Sequence, residues 1–158
     1  MDEFSSLYKK HAPDVYRFSL YLCGNRSDAE DITSETFVRA WASPRSIEMA
    51  TVKGYLFTIA RNLFLHGLRR TSRETTLAGD LRTPWSSSPY AQAEQKDKLA
   101  FISAQLQKLP ESSRTALLLH AVDEMPYEDI ARVLDLSLSA VKVKIHRARL
   151  TLAGIRDA

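Results

Sequence analysis

A chain of 158 residues is long enough for one medium domain or two small ones, and a hydrophobic share of 44% excludes a disordered polymer. The formal charge of +3 and a pI near 9.1 lean towards polyanionic partners, while 19 acids beside 22 lysines and arginines leave room for a separate acidic face. One cysteine (Cys23), no run near the ~20 apolar residues of a membrane span, and an N-terminus (MDEFSSLYKK) without signal-peptide character predict a cytoplasmic protein with no membrane insertion.

From residue 2 to 23 apolar side chains recur with helical period: Phe4, Leu7 and Tyr8, then Val15, Phe18 and Leu22. Pro13 is expected to kink or divide this segment, and Gly24 with Asn25 to end it, as residues tolerant of positive φ. Cys23, in the apolar run FSLYLCG, reads as a small core residue rather than a reactive thiol. Ser27-Asp28-Ala29-Glu30 has the S-x-x-E form of a capping box and predicts a helix to about Ala42, stopped by Ser43-Pro44. Its inner face would carry Ala29, Ile32, Thr36, Phe37, Ala40 and Trp41. Its outer face would carry Asp28, Asp31, Ser34, Glu35 and Arg39. Acids early in a helix suit its dipole, so by themselves they imply no partner.

After a loop over 43–51, a helix is expected from about Val52 to Arg70, with Leu56, Ile59, Ala60 and Leu63 along one face. It carries Tyr55 and Phe57 with Lys53, Arg61, Asn62, Arg69 and Arg70. Rings beside cations suit unstacked bases, although aromatics in such a helix more often belong to the core. Asn62 is a poor helix former whose amide can pair with adenine. Between Thr71 and Ser88 periodicity fails and a linker is predicted. Pro89 suits the first turn of a further helix through Leu99, Ile102 and Leu106 to Leu109. Pro110 then opens another, with Leu117, Leu118 and Val122.

Residues 127–152, YEDIARVLDLSLSAVKVKIHRARLTL, read as two short helices joined by a tight turn. Ile130, Ala131, Val133 and Leu134 give the first its apolar face, Asp135 and Leu136 lie in the turn, and Ser137 is placed to cap the second. In that second helix Val141, Ile145, Ala148 and Leu152 form one stripe. Ser139, Lys142, Val143, His146 and Arg147 lie about half a turn away, flanked by Lys144 and Arg149. An apolar stripe that sets the angle, opposite a cationic face that offers donors, is what a DNA recognition helix requires. A solvated basic face on an ordinary helix pair has the same pattern, so this stretch alone leaves both readings open.

His11, His66, His120, His146 and Cys23 show no zinc-ligand spacing, and no phosphate-binding glycine loop or nucleophile motif occurs. No cofactor, no metal and no catalytic residues are expected, and the chain is not read as an enzyme. No strand pattern emerges; the expected fold class is all-α, two small helical domains joined by a flexible linker, the C-terminal one ending in a helix-turn-helix.

Three stretches together resemble one family. SDAEDITSETFVRAW resembles the polymerase-clamp-binding helix of the extracytoplasmic-function (ECF) sigma factors of the sigma-70 superfamily, commonly D-A-E-D-[LI]-x-Q-E-[TV]-F-x-[RK]-[AL]-[WY]. YLFTIARNLFLHGLRR resembles the helix that follows it, commonly W-L-x-x-I-A-R-N. LQKLPESSRTALLLHAVDEMPYEDIARVLDLSLSAVKVKIHRARLTL resembles the promoter-binding end of the fourth domain, commonly L-P-x-x-x-R, then Y-x-E-I-A, then T-V-K-S-R-L-H-R-A-R. The three occur in family order and spacing over nearly the whole chain except the linker.

The resemblance implies sigma region 2 over 1–72, a linker over 73–88 and sigma region 4 over 89–158. It implies that Asp28, Asp31, Ser34 and Glu35 dock on the beta-prime clamp of RNA polymerase core. Lys53, Arg61 and Asn62 would lie at the melted minus-10 element of promoter DNA. Ser139, Lys142, Val143, His146, Arg147 and Arg149 would face the minus-35 element. An anti-sigma factor is a further partner that the family implies. The sequence departs from the family at Ser34 (usually glutamine), Tyr55 (usually tryptophan), Val143 (usually serine) and Lys144 (usually arginine), which puts one clamp contact and the base preference in question. Two other readings stay open: a stand-alone helix-turn-helix regulator, and a sigma-like decoy for an anti-sigma factor. The acidic helix argues against the first, and the retained Asn62, Lys142, Arg147 and Arg149 against the second.

Overall fold

A computed structural model describes residues 2–42, 51–71, 98 and 100–157, and among these every regular element is a helix. In chain order they are α1 (Asp2–Cys23), α2 (Arg26–Ala42), α3 (Val52–Thr71), α4 (residues 100–106), α5 (Glu111–Ala121), α6 (Tyr127–Leu134) and α7 (Leu138–Asp157). The linker expected over 73–88, the helix start at Pro89 and the Ser43-Pro44 stop lie outside the described residues.

Helices α1, α2 and α3 pack as one bundle around Val15, Phe18, Leu22, Phe37, Leu56, Phe57 and Ala60. Helix α1 runs unbroken through Pro13, contrary to the expected division: the ring removes one hydrogen bond, but the apolar side chains on both sides of it pack into the same core. The helix stops at Gly24, whose φ is +73°, a conformation that glycine adopts without a steric penalty. A Cβ there would also lie 2.9 Å from Ser103 Oγ of α4.

The cap of α2 is not the expected Ser27 box. The helix begins earlier, at Arg26, and Asn25 Oδ1 accepts the Asp28 N–H at 2.9 Å. Asparagine caps as well as serine does, and the short Gly24-Asn25 corner puts it there first. Thr51 caps α3 in the same way, accepting the Gly54 N–H at 2.9 Å. Tyr55 and Phe57 are core residues, so neither ring is a base-stacking platform. Trp41, expected inside, is 52% exposed and rests edge-on against Phe4 with ring centroids 4.7 Å apart. Thr33, not expected inside, is buried, its hydroxyl donating to the Ala29 carbonyl at 2.7 Å.

Helices α5, α6 and α7 form the second unit around Ala116, Leu119, Ile130, Val133, Leu134, Val141, Ile145 and Ala148. Pro110 opens α5 as expected. Asp135 takes the left-handed conformation (φ 55°, ψ 50°) that ends α6, and Ser137 Oγ accepts the Ala140 N–H at 3.1 Å to start α7.

The two units touch, where the sequence suggests two bundles on a string. Helix α1 packs on α5 and α3 on α6, and the buried apolar residues run on from one unit to the other. The tie is Arg114 of α5, which is buried. Its guanidinium donates to the carbonyls of Leu22 at 2.6 Å, Leu106 at 3.0 Å and Leu109 at 3.1 Å. Helix ends leave carbonyls without partners, and this one side chain meets the ends of α1 and α4 together. Gln107 adds its amide to the carbonyls of Tyr21 and Leu22 at 3.3 and 3.2 Å.

Replacing Arg114 with Leu removes three hydrogen bonds at once, although Gln107 still meets the Leu22 carbonyl and the Leu109 N–H the Leu106 carbonyl, so a urea titration should show a loss of about 2–4 kcal/mol. An unchanged midpoint would contradict this account of the junction.

Candidate partner and nucleic-acid interfaces

Three surfaces matter. The first lies on the outer face of α2, where Ile32, Thr33, Thr36, Phe37 and Ala40 are buried and the opposite face is left to polar groups. Asp28, Asp31, Ser34 and Glu35 line one groove of about 600 Å³ together with Cys23, Val38, Arg39, Leu63, Phe64 and Gly67. All four of the predicted polymerase-facing residues therefore share one wall. Glu35 is paired only loosely, with Arg39 at 3.5 Å, a surface pair of little energetic weight. Val38 is 58% exposed and adds an apolar strip that helical periodicity does not single out. At the groove's base the Cys23 thiol donates to the Asn25 carbonyl at 3.3 Å, and burial pushes its pKa up to about 12, so it stays protonated and unreactive.

The second surface is α7. Val141, Ile145 and Ala148 are buried and Leu152 is partly so, while Ser139, Lys142, Val143, His146, Arg147 and Arg149 are exposed. Every one of the six expected DNA-facing residues points away from the core. The helix is anchored along a single stripe against α5 and α6, which is how a recognition helix keeps its angle while its far side stays open.

The third surface, on α3, differs from expectation. Asn62 is exposed, but Arg61 is engaged by the second unit and Lys53 by carboxylates of both units. Arg61 donates from Nε to Glu111 Oε2 at 2.7 Å and from Nη2 to Oε1 at 2.9 Å, a two-pronged pair. The Thr115 hydroxyl donates to the same carboxylate at 2.8 Å. Burial pushes the Glu111 carboxyl up, yet the Arg61 and Thr115 hydrogen bonds and the Arg61 and Arg114 charges outweigh it and hold the pKa below the ordinary range. Lys53 Nζ lies 3.4 Å from Asp14 of α1 and 3.9 Å from Asp123, which follows α5. Arg17 Nη2 of α1 approaches Asp123 at 3.6 Å. These distances are those of charge pairs, and neither Asp123 oxygen takes a hydrogen bond among the described residues. Burial pushes Asp123 up to about 6; Lys53 and Arg17 pull it back only in part, and Asp14 adds to the rise. Helical periodicity has no means of finding Glu111 or Asp123, because their partners are far away in sequence.

Residues 7–74 match the family described as Sigma-70 region 2, and residues 102–152 match Sigma-70, region 4. The ECF RNA polymerase sigma factor SigM of Bacillus subtilis is 30% identical over 150 residues, covering 94% of this chain and 92% of its own length. The chain belongs to the ECF sigma factors. The SigE protein of Mycolicibacterium smegmatis is 36% identical over 153 residues; the alignment takes in 94% of this chain but 60% of SigE. The fold is shared with the sigma factor RpoE of Bartonella quintana, solved with the anti-sigma factor NepR (TM-score 0.78, 24% identity, 100% of this chain and 99% of that one). It is shared also with CnrH, solved with the cytosolic domain of CnrY (TM-score 0.76, 25% identity, 98% and 87%). As an ECF sigma factor, the chain binds RNA polymerase and directs promoter-specific initiation of transcription. Its family consists of regulatory factors, and no described helix is long and apolar enough to cross a membrane.

Asp123 supplies a pH test within this sigma factor. Its folded pKa, about 6, is above the ordinary 3.8, so the folded chain holds that proton more tightly than the unfolded one. The group therefore favours folding at low pH and costs stability as pH rises through about 4–6. Asp123→Asn should be more stable than the parent by roughly 1–3 kcal/mol at pH 8. The gap should close below pH 4, as read by urea titrations at both pH values.

Proposed function

We propose that the sigma factor divides its work among the three surfaces: the α2 groove grips the polymerase clamp, α3 meets the minus-10 element, and α7 reads minus-35. The observation that carries this reading is the separation of faces on α7. With Val141, Ile145 and Ala148 committed to the core, Lys142, Val143, His146 and Arg147 project together as a set able to enter a major groove. An apolar Val143 suits a thymine methyl, and Lys142 a guanine or a phosphate. Ser139 belongs to the same exposed face and Arg149 flanks it, so both are assigned to the minus-35 contact.

On α2, Asp28, Asp31, Ser34 and Glu35 form a polar wall around the Val38 strip, a chemistry suited to a basic clamp helix. Asn62 with Arg61 and Lys53 supplies the minus-10 contacts, an amide for a base and two cations for phosphates. The domain bounds follow the same division, region 2 over 1–72 and region 4 over 89–158 with a linker over 73–88. Work of this kind is done by binding alone, without catalysis by the chain, and belongs in the cytoplasm beside the polymerase. An anti-sigma factor is a natural further partner, since RpoE was solved with NepR and CnrH with part of CnrY.

Adding the purified chain to core polymerase and sequencing the transcripts tests the whole reading: a common promoter pattern supports it, and transcripts without one refute it. Asp31→Lys with Glu35→Lys should reduce core binding at least tenfold by reversing two charges, with helical content unchanged by circular dichroism. Unaltered core affinity would remove the α2 groove from the assignment. Lys142→Ala with Arg147→Ala should weaken promoter binding by the holoenzyme by about 1–3 kcal/mol for each base-reading side chain removed. Equal initiation from the cognate promoter would mean that another face of the chain reads minus-35.

A further inference from the structure

On one side of the junction a carboxylate of the second unit is set among charges that already have partners. Asp14 and Arg17 of α1 and Lys53 of α3 belong to the first unit, and Asp123, in the turn between α5 and α6, to the second. Arg17 stands 3.0 Å from Asp14 and 3.6 Å from Asp123; Lys53 stands 3.4 Å and 3.9 Å from the same two. Asp14 therefore has the nearer share of both cations. Asp123 has the farther share, although its side chain is wholly covered and neither oxygen takes a hydrogen bond among the described residues. The turn fixes it there: its N–H donates to the Leu118 carbonyl at 3.3 Å, the Met125 N–H donates to that of Leu119 at 2.9 Å, and Met125 is buried. The charges that act on Asp123 are Lys53, Arg17 and Asp14, all across the junction. His11, one turn before Asp14, is acted on by Lys10, Lys53 and Asp14, so its charged surroundings lie within the first unit. Glu111 is the opposite case, forked by Arg61 at 2.7 and 2.9 Å and met by the Thr115 hydroxyl.

We infer that the junction is a proton-sensitive clasp: docking of the second unit on the first takes up a proton at Asp123, so acid tightens the packing of the two units and neutral pH loosens it. Ionised, the docked Asp123 is a charge out of water whose cations stand beyond hydrogen-bond length, and undocking returns it to solvent. Protonated, it has no charge to bury, and Arg17 and Lys53 are left to Asp14. A carboxyl with a pKa of about 6 when docked and 3.8 ordinarily favours docking in full below pH 3.8 and loses that contribution as pH rises through 6. Glu111, held below its ordinary 4.5, has the reverse sign: its contribution is present above pH 4.5 and fades only in stronger acid. Of the two carboxylates, Asp123 therefore sets the slope between pH 5 and pH 8, and the docking constant should be about tenfold larger at pH 5.

The test uses the full chain, with a donor and an acceptor dye on Lys9→Cys of α1 and Ala153→Cys of α7, both exposed positions. Labelling is done on the folded chain, where the Cys23 thiol stays protonated. Single-molecule energy transfer counts docked and undocked chains as urea is raised at pH 5 and at pH 8, and circular dichroism follows helical content. The parent should need more urea to undock at pH 5, by a shift equal to the tenfold change in docking constant, with its helices intact at both midpoints. Asp123→Asn should abolish the difference and dock at pH 8 as firmly as the parent does at pH 5. Glu111→Gln should weaken docking at both pH values and keep the difference, and His11→Gln should keep it too. Equal docking of the parent at the two pH values overturns the inference. So does a difference that survives Asp123→Asn, or one that vanishes with Glu111→Gln or His11→Gln, because the proton would then sit elsewhere. Loss of helix at the same urea concentration as loss of docking also overturns it, since the proton would act on the fold as a whole.

Discussion

One buried guanidinium does more than any other group to set the arrangement of this chain. Arg114 donates to carbonyls at the end of α1, at the end of α4 and just before α5, three segments that apolar packing alone would leave free to slide. A charge out of water is tolerable only when its donors find acceptors, and three hydrogen bonds engage all three guanidinium nitrogens. The result is directional, unlike the apolar packing beside it: the bonds form in one relative placement of the helices. Gly24 completes the fit by lacking the Cβ that would press on Ser103.

Around that tie, the polar chemistry of the sigma factor falls into two kinds. The acids of the α2 groove and the cations of α7 face outward, so they are available to macromolecules with little effect on fold stability. Two cations of α3 are matched inside the chain instead, Arg61 tightly across the junction and Lys53 loosely between Asp14 of its own unit and Asp123 of the other. Electrostatics at the junction has two opposed members. Hydrogen bonding and nearby cations hold Glu111 below its ordinary pKa despite burial, whereas burial prevails at Asp123. A neighbouring cation stabilises a carboxylate in proportion to how close and how well aligned it is, and only Arg61 is both.

Much of this is legible in the residues. The α7 faces, the Ser137 cap and the stop at Gly24 follow from local geometry, since a helix brings positions three and four apart together whatever the rest of the chain does. Where structure and sequence disagree, two local choices of similar merit compete and packing selects between them. Asn25 and Ser27 are both good caps, and the tightness of the corner after Gly24 favours Asn25. Trp41, apolar and in helical register with the inner face, lies in the last turn of α2 and stays half-exposed against Phe4. Pro13 could break α1; packing on both sides keeps it whole.

The amino-acid sequence by itself determined an all-helical chain, its family, and the buried and exposed faces of α7, because periodicity and motif spacing are properties of neighbouring residues. Only the tertiary structure decided that the two units touch, and that Arg61 and Lys53 turn their charge on Glu111 and Asp123. Those pairs join residues 50 or more positions apart, and an approach over such a distance depends on how whole helices pack, which leaves no periodic trace in the chain.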